Sequence, residues 1–187
     1  MALNYDVNEV FPVKLKNILS ETKTEIATLI RDNDKITKLL KYDKADALEN
    51  PLYVVDNKIR KEIYSQSSGN KRFFLMGFDP HAVKEVRSEI HVAYDRINTY
   101  QAGITKVPFL RIDVIVAVPI NSLSDGYSMR HDVLFQLVND TIEGHHVGTL
   151  GNIKLSENSR DLAWEYPLEG NTHVVWSAIY QIGEIKR

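Results

Sequence analysis

The sequence predicts a single α+β domain, a mainly antiparallel sheet with helices packed on one face, preceded by an N-terminal helical arm. Three observations predict it. Strand-like alternation dominates the second half, most clearly at 110–118 and 174–182. One strong helical stripe lies between those strands, so strands and helices are segregated and not interleaved one by one. Residues 15–40, finally, place apolar side chains three and four apart, as helices do. A chain of 187 residues, 43% apolar and 26% charged, suits one domain whose core needs no staples.

In the arm, Leu15, Ile18, Leu19, Ile26, Leu29 and Ile30 share a face, followed by Ile36, Leu39 and Leu40. Arg31-Asp32-Asn33-Asp34 divides the two groups, and Asp34 is placed to cap a short second helix reaching Tyr42. Two helices or one bent helix are therefore expected over 1–45. Residues 46–71 read as a flexible connection. Asn50-Pro51 marks a turn there, 52–55 reads as a short strand, and 65–70 is a polar loop. The α+β core is expected over 72–187.

That core opens on Phe73, Phe74, Leu75, Met76 and Phe78, ended by Asp79-Pro80. Ile90, Val92 and Tyr94 then alternate with Glu89, His91 and Asp95. Residues 98–105, with Gly103, read as a hairpin loop. In the clearest strand Leu110, Ile112, Val114, Val116 and Val118 share one face, opposite Arg111, Asp113, Ile115 and Ala117, until Pro119 stops the ladder. Ser124 or Asp125 is expected to cap a helix over 126–143 whose stripe is Leu134, Leu137, Val138 and Ile142. Arg130 and His131 interrupt that stripe and mark its less buried end. Gly144 suits the position after the last helical residue. Short strands follow at 153–155 and 162–166, and a strong one at 174–182.

Composition narrows the function. Twenty-three basic and 25 acidic residues give a net charge of −2 with no run of like charges. Sequence-specific nucleic-acid binding is therefore not expected, because phosphate recognition needs a concentrated positive field. The chain has no cysteine, which excludes disulfides, thiolate chemistry and Cys-based zinc sites. No secretory signal is expected from the first residues, and the longest apolar run, 114–120, is too short for a membrane span of about 20 residues.

Candidate chemistry is thin. His145-His146 has no third ligand at zinc spacing. His131-Asp132 lacks a nucleophile elbow, and Gly148 with Gly151 lacks the spacing of a phosphate loop. Asp95 and Asp113 would form an acid–base couple if their strands paired in register, but Arg111 beside Asp113 favours a cross-strand ion pair. Trp164, Tyr166, Trp176 and Tyr180 read as core and interface aromatics, since a base-stacking platform needs accompanying Lys and Arg. The expectation is a protein that is not an enzyme and holds no cofactor or metal.

Phe109-Leu110-Arg111-Ile112-Asp113-Val114-Ile115-Val116-Ala117-Val118, a helix over 126–143 and a final His173-Val174-Val175-Trp176-Ser177-Ala178-Ile179-Tyr180-Gln181-Ile182 follow in an order that resembles the bacteriophage tail-terminator and tail-completion (neck) proteins. The likeness is one of element order; it covers the strand-rich part well and the N-terminal helices loosely. It implies a structural virion protein, made in the host cytoplasm, that forms a hexameric ring on the head-proximal end of the tail tube. The implied partners are further copies, the tail-tube protein and a neck or head-closure protein, with the sheath or neck as what an inserted docking arm at 43–87 would meet. Strand and arm position then point to Arg111, Asp113, Ser177, Gln181, Glu184, Lys186 and Arg187 as interface residues. The 43–87 stretch has no counterpart in that family. It reads as a docking arm, or as the mark of another neck or head–tail connector protein. A small α+β enzyme using Asp95 with Asp113 or His91 is the reading from a different class.

Overall fold

The computed structural model describes residues 13–65, 67–77, 87–102, 105–120, 124–125, 128–148, 150–156, 164–167 and 173–182. Within these, only the backbone is described at 13–18, 95–102, 105–109, 124–125, 128 and 164–167. The chain is an α+β fold. Helices α1 (Val13–Asp32), α2 (Asp34–Lys41) and α3 (Asn57–Tyr64) precede strands β1 (Phe73–Phe74), β2 (Glu89–Ala102) and β3 (Thr105–Pro119). A small ladder of β4 (Ser124–Asp125) and β5 (Ser128–Met129) leads into α4 (Arg130–Ile142). Strands β6 (His146–Val147), β7 (Gly151–Leu155), β8 (Trp164–Pro167) and β9 (His173–Ile182) complete the described chain.

The main sheet runs β1-β2-β3-β9-β7-β6, with β8 also pairing β9. Only β1 and β2 are parallel among the described pairs. Strands β7 and β8 divide one edge of β9 between them, β7 at 180–182 and β8 at 174–177. Leu110, Ile112, Val114, Val116 and Val118 of β3 share a face with Ile90 and Val92 of β2 and Ala178, Tyr180 and Ile182 of β9. The helices supply Ile26, Ile30, Ile36, Leu39, Leu40, Ile63, Leu134, Val138 and Ile142 to the same core. That one-sided cover is what the alternation and the helical stripes require.

Two helices form in the arm, and the residue that separates them is Asn33. Its side chain accepts hydrogen bonds from the backbone N–H groups of Lys35 and Ile36, at 3.0 and 3.4 Å. The cap is thus one residue earlier than expected. Asp34 lies in the first helical turn, where a carboxylate faces the positive end of the helix dipole and pairs with Arg60. Asn33 also donates to the Thr141 hydroxyl at 2.8 Å, tying the junction to α4.

The 46–71 segment is more than a connection. Asp56 caps α3 by accepting from the Ile59 N–H at 2.7 Å, and Ala47 and Ile63 are fully buried. The expected strand at 52–55 is a turn followed by irregular chain, with Tyr53 stacked on Tyr42 at 4.3 Å. An eight-residue helix with Ile59 and Ile63 as its apolar positions is too short for periodicity to reveal.

Two further boundaries differ. The β2–β3 hairpin is longer than expected, since 98–102 and Thr105, read as loop, are strand, and β3 starts five residues before Leu110. A register shift between Tyr94 and Arg96 marks a bulge at Asp95. Helix α4 begins at Arg130, not 126, because 124–125 and 128–129 pair with each other. Its N-cap is Met129, without a side-chain cap bond, so neither Ser124 nor Asp125 caps it. Gly144, at φ +78°, ends it as expected.

Candidate functional site

Arg130 is a buried and multiply bonded polar residue of the interior. Expected at an exposed helix end, it is 1% exposed, and His131 beside it is 4% exposed. The first turn of α4 is driven against the C-terminus of α2, where helix carbonyls lack intrahelical partners. The Arg130 guanidinium donates to the carbonyls of Leu39 and Tyr42, both at 3.1 Å, and to that of Lys44. A fixed positive charge there also complements the negative end of the α2 dipole. Arg130 therefore clamps the end of α2 to α4. The sequence carried no signal of this, because an arginine in the first turn of an amphipathic helix looks like surface.

The opposite face of the sheet carries the expected interface residues. Arg111 stands opposite Gln181 in the β3–β9 register, and Asp113 opposite Ile179. The Ser177 hydroxyl donates to Asp113 at 2.9 Å. Arg111, Asp113 and Gln181 are half-buried, whereas Ser177 is 2% exposed and thus positions Asp113 without presenting a surface itself. Glu184, Lys186 and Arg187 lie outside the described residues. Farther along this face Ile115, Ala117 and Val175 form a second, small buried cluster.

Beside that cluster lies a charged group that the sequence analysis did not single out. Glu89 is 6% exposed; it accepts from Arg87 Nε at 2.9 Å and from His91 Nε2 at 3.1 Å. Burial pushes the Glu89 carboxyl up, but the hydrogen bonds from His91 and Arg87 outweigh it and hold the group below its ordinary range. Phe74 stacks on His91 at 4.5 Å, and His173 Nε2 donates to the Arg87 carbonyl at 3.2 Å. The alternation of Glu89 and His91 was the only visible signal, since Arg87 precedes the strand.

Asp113 is opposite Ala93, Asp95 sits at the bulge with its side chain outside the description, and the carboxylate bonded to His91 belongs to Glu89. His145 and His146 diverge: His145 Nε2 donates to Glu25 at 3.1 Å, and His146 Nδ1 lies 2.9 Å from Asn152 Oδ1. His131 Nε2 is 3.4 Å from Asp132, which also accepts from Trp176 Nε1 at 2.8 Å. Trp176 stacks on Phe135 at 4.8 Å, and fully buried Tyr180 donates to Asn139 at 2.9 Å. Both rings thus belong to the helix–sheet contact; the side chains of Trp164 and Tyr166 are outside the description. Among the described residues no group of three or more His, Asp or Glu is arranged to hold a metal ion. No helix there is long and apolar enough to cross a membrane.

A cleft of about 430 Å³ between α1 and α3 is lined by Arg31, Asp32, Asn57, Arg60, Lys61, Tyr64 and Ser65. Its arginines are engaged internally, Arg31 with Asp32 and Arg60 with Asp34 and the Arg31 carbonyl. Burial raises the Tyr64 hydroxyl to about 12, so it stays protonated and shares a hydrogen bond with Thr37.

Residues 33–181 match the model of the YomW family, which covers most of the chain, and the protein belongs to that family. The family is phage-derived, of the SPβ-prophage type, so the chain is a phage-associated protein. No curated protein matches it.

Proposed function

We propose that this YomW-family chain is a structural protein of a phage particle. It closes into a ring on the head-proximal end of the tail tube and joins the tube to the neck. Membership of a phage-derived family supports the virion setting, and the element order resembling tail terminators supports the place in it. The observation that carries the ring reading is the asymmetry of the sheet. Helices cover one face of β3 and β9, while on the other face Ile115, Ala117 and Val175 are buried and only its end at Arg111, Asp113 and Gln181 stands half-buried, where a lining or a neighbouring copy would meet it. In this reading the partners are five further copies, the tail-tube protein and a neck or head-closure protein, and the chain carries out no reaction. A cyclic ring needs two complementary flanks, because its contacts are heterologous.

A connector on the neck side is the second reading, and the loop before α3 favours it. Leu52 and Val54 are 83% and 61% exposed, presented on a loop braced by the Tyr42–Tyr53 stack and by the Tyr42 hydroxyl donating to the Val54 carbonyl. Exposed apolar residues on a braced loop suit docking to another protein. Negative-stain images of the purified protein, alone and mixed with tail tubes, separate the readings. Rings, or density at one tube end, are expected. Particles that ignore tubes and bind a portal–neck complex instead would replace the terminator reading with the connector.

A further inference from the structure

Among the described residues the β2–β3 hairpin runs past the rest of its sheet. Strand β9 pairs β3 there only as far as Leu110, yet β2 and β3 stay paired to Ala102 and Thr105. The hairpin thus continues for about 17 Å as a two-stranded arm. Such a ribbon is marginal in isolation and gains by adding a strand.

Backbone direction decides which edge of the arm can take one. The Ser156 N–H donates to the Ile179 carbonyl, so Ile179 faces away from β3 and its opposite, Asp113, faces β2. Alternation along β3 then turns Pro108 away from β2, where a residue without an N–H is tolerated. The outer edge of β3 in the arm therefore lacks a donor. The same alternation turns Pro167 outward on β8. Prolines of this kind blunt an edge against pairing. Opposite Pro108, Thr99 faces outward from β2, and so do Ile97 and Gln101. No proline interrupts that edge, and β1 pairs β2 only at Ile90 and His91 among the described residues.

We propose that this β2 edge pairs with the same edge of a second copy, antiparallel and centred on Thr99. That register sets Thr99 against Thr99 and Ile97 against Gln101, so every outward group finds a partner in a ladder of about six hydrogen bonds. It sets Arg96 against Ala102 and Asn98 against Tyr100, so no like charges oppose each other. The joint is isologous and hence separate from the heterologous contacts of a ring. It does not depend on the tail reading.

The absence of cysteine gives a direct test. In the proposed register two Thr99 Cα atoms lie about 5.5 Å apart, within disulfide reach. Full-length Thr99→Cys and Ile97→Cys are oxidised and run on non-reducing gels, and the wild type and Thr99→Pro are sized by analytical ultracentrifugation. Disulfide-linked dimer is expected from Thr99→Cys several-fold in excess of Ile97→Cys, with a wild-type dimer that Thr99→Pro shifts to monomer. Equal cross-linking of the two cysteine variants, or a monomeric wild type, would overturn the proposal. If Thr99→Pro loses its fold by circular dichroism, the cysteine contrast decides alone. Selective cross-linking without tube capping leaves this joint standing and removes the ring, and capping without selective cross-linking does the reverse.

Discussion

The two faces of the sheet are built on different principles. On the helix side, Val114, Val116, Ala178 and Tyr180 meet Leu134 and Val138, Trp176 and Tyr180 bond Asp132 and Asn139 of α4, and buried Arg130 ties α4 to the end of α2. On the other side the strands mix apolar residues with charge, and Arg87 and His91 bond Glu89 while Ser177 bonds Asp113. The first face should therefore fail by loss of volume or of one clamp, and the second by protonation. Hydrophobic burial is insensitive to pH, whereas a paired buried carboxylate is not.

The largest break is expected at the clamp. Arg130→Met should destabilise the fold by about 3 kcal/mol in urea unfolding, because one buried and two part-buried carbonyls lose their donor. A change below about 1 kcal/mol would mean the helical front holds itself without Arg130. Trp176→Ala should cost about 2 kcal/mol, less than a fully buried indole, since Trp176 is half-buried against Phe135. Asn33→Ala should cost about 1 kcal/mol and Asp34→Ala less, and the reverse order would return the cap to Asp34.

The opposite face is probed by acid. The folded Glu89 carboxyl titrates below its ordinary value of 4.5, so its stabilisation is fully present above that value. It is lost as pH falls through the lower folded value. Glu89→Gln should flatten that acid limb in thermal melts, while Arg130→Met should lower stability without changing its slope. An unchanged acid limb in Glu89→Gln would place the titrating group elsewhere.

These contrasts also mark what the sequence could reveal. Period-two alternation located β3 and β9 and assigned their faces, because every second residue of each strand is apolar or aromatic. Gly144 was legible because a glycine after the last helical residue answers a specific backbone need. The start of α4, the eight residues of α3 and the burial of Arg130 were not legible. Each depends on contacts between segments far apart in the chain, as Arg130 with Leu39 shows. The opposite face was legible as positions but not as chemistry. Arg111, Asp113, Ser177 and Gln181 were placed by alternation, while the bonding of Glu89 to Arg87 and His91 requires the fold.

The most direct test of the virion assignment is gold-labelled antibody against this chain, applied to intact particles of the phage that encodes it and viewed by electron microscopy. Gold confined to the junction of head and tail is expected. Purified particles without label, or with label spread along the tail or over the head, would contradict a ring at the end of the tail tube.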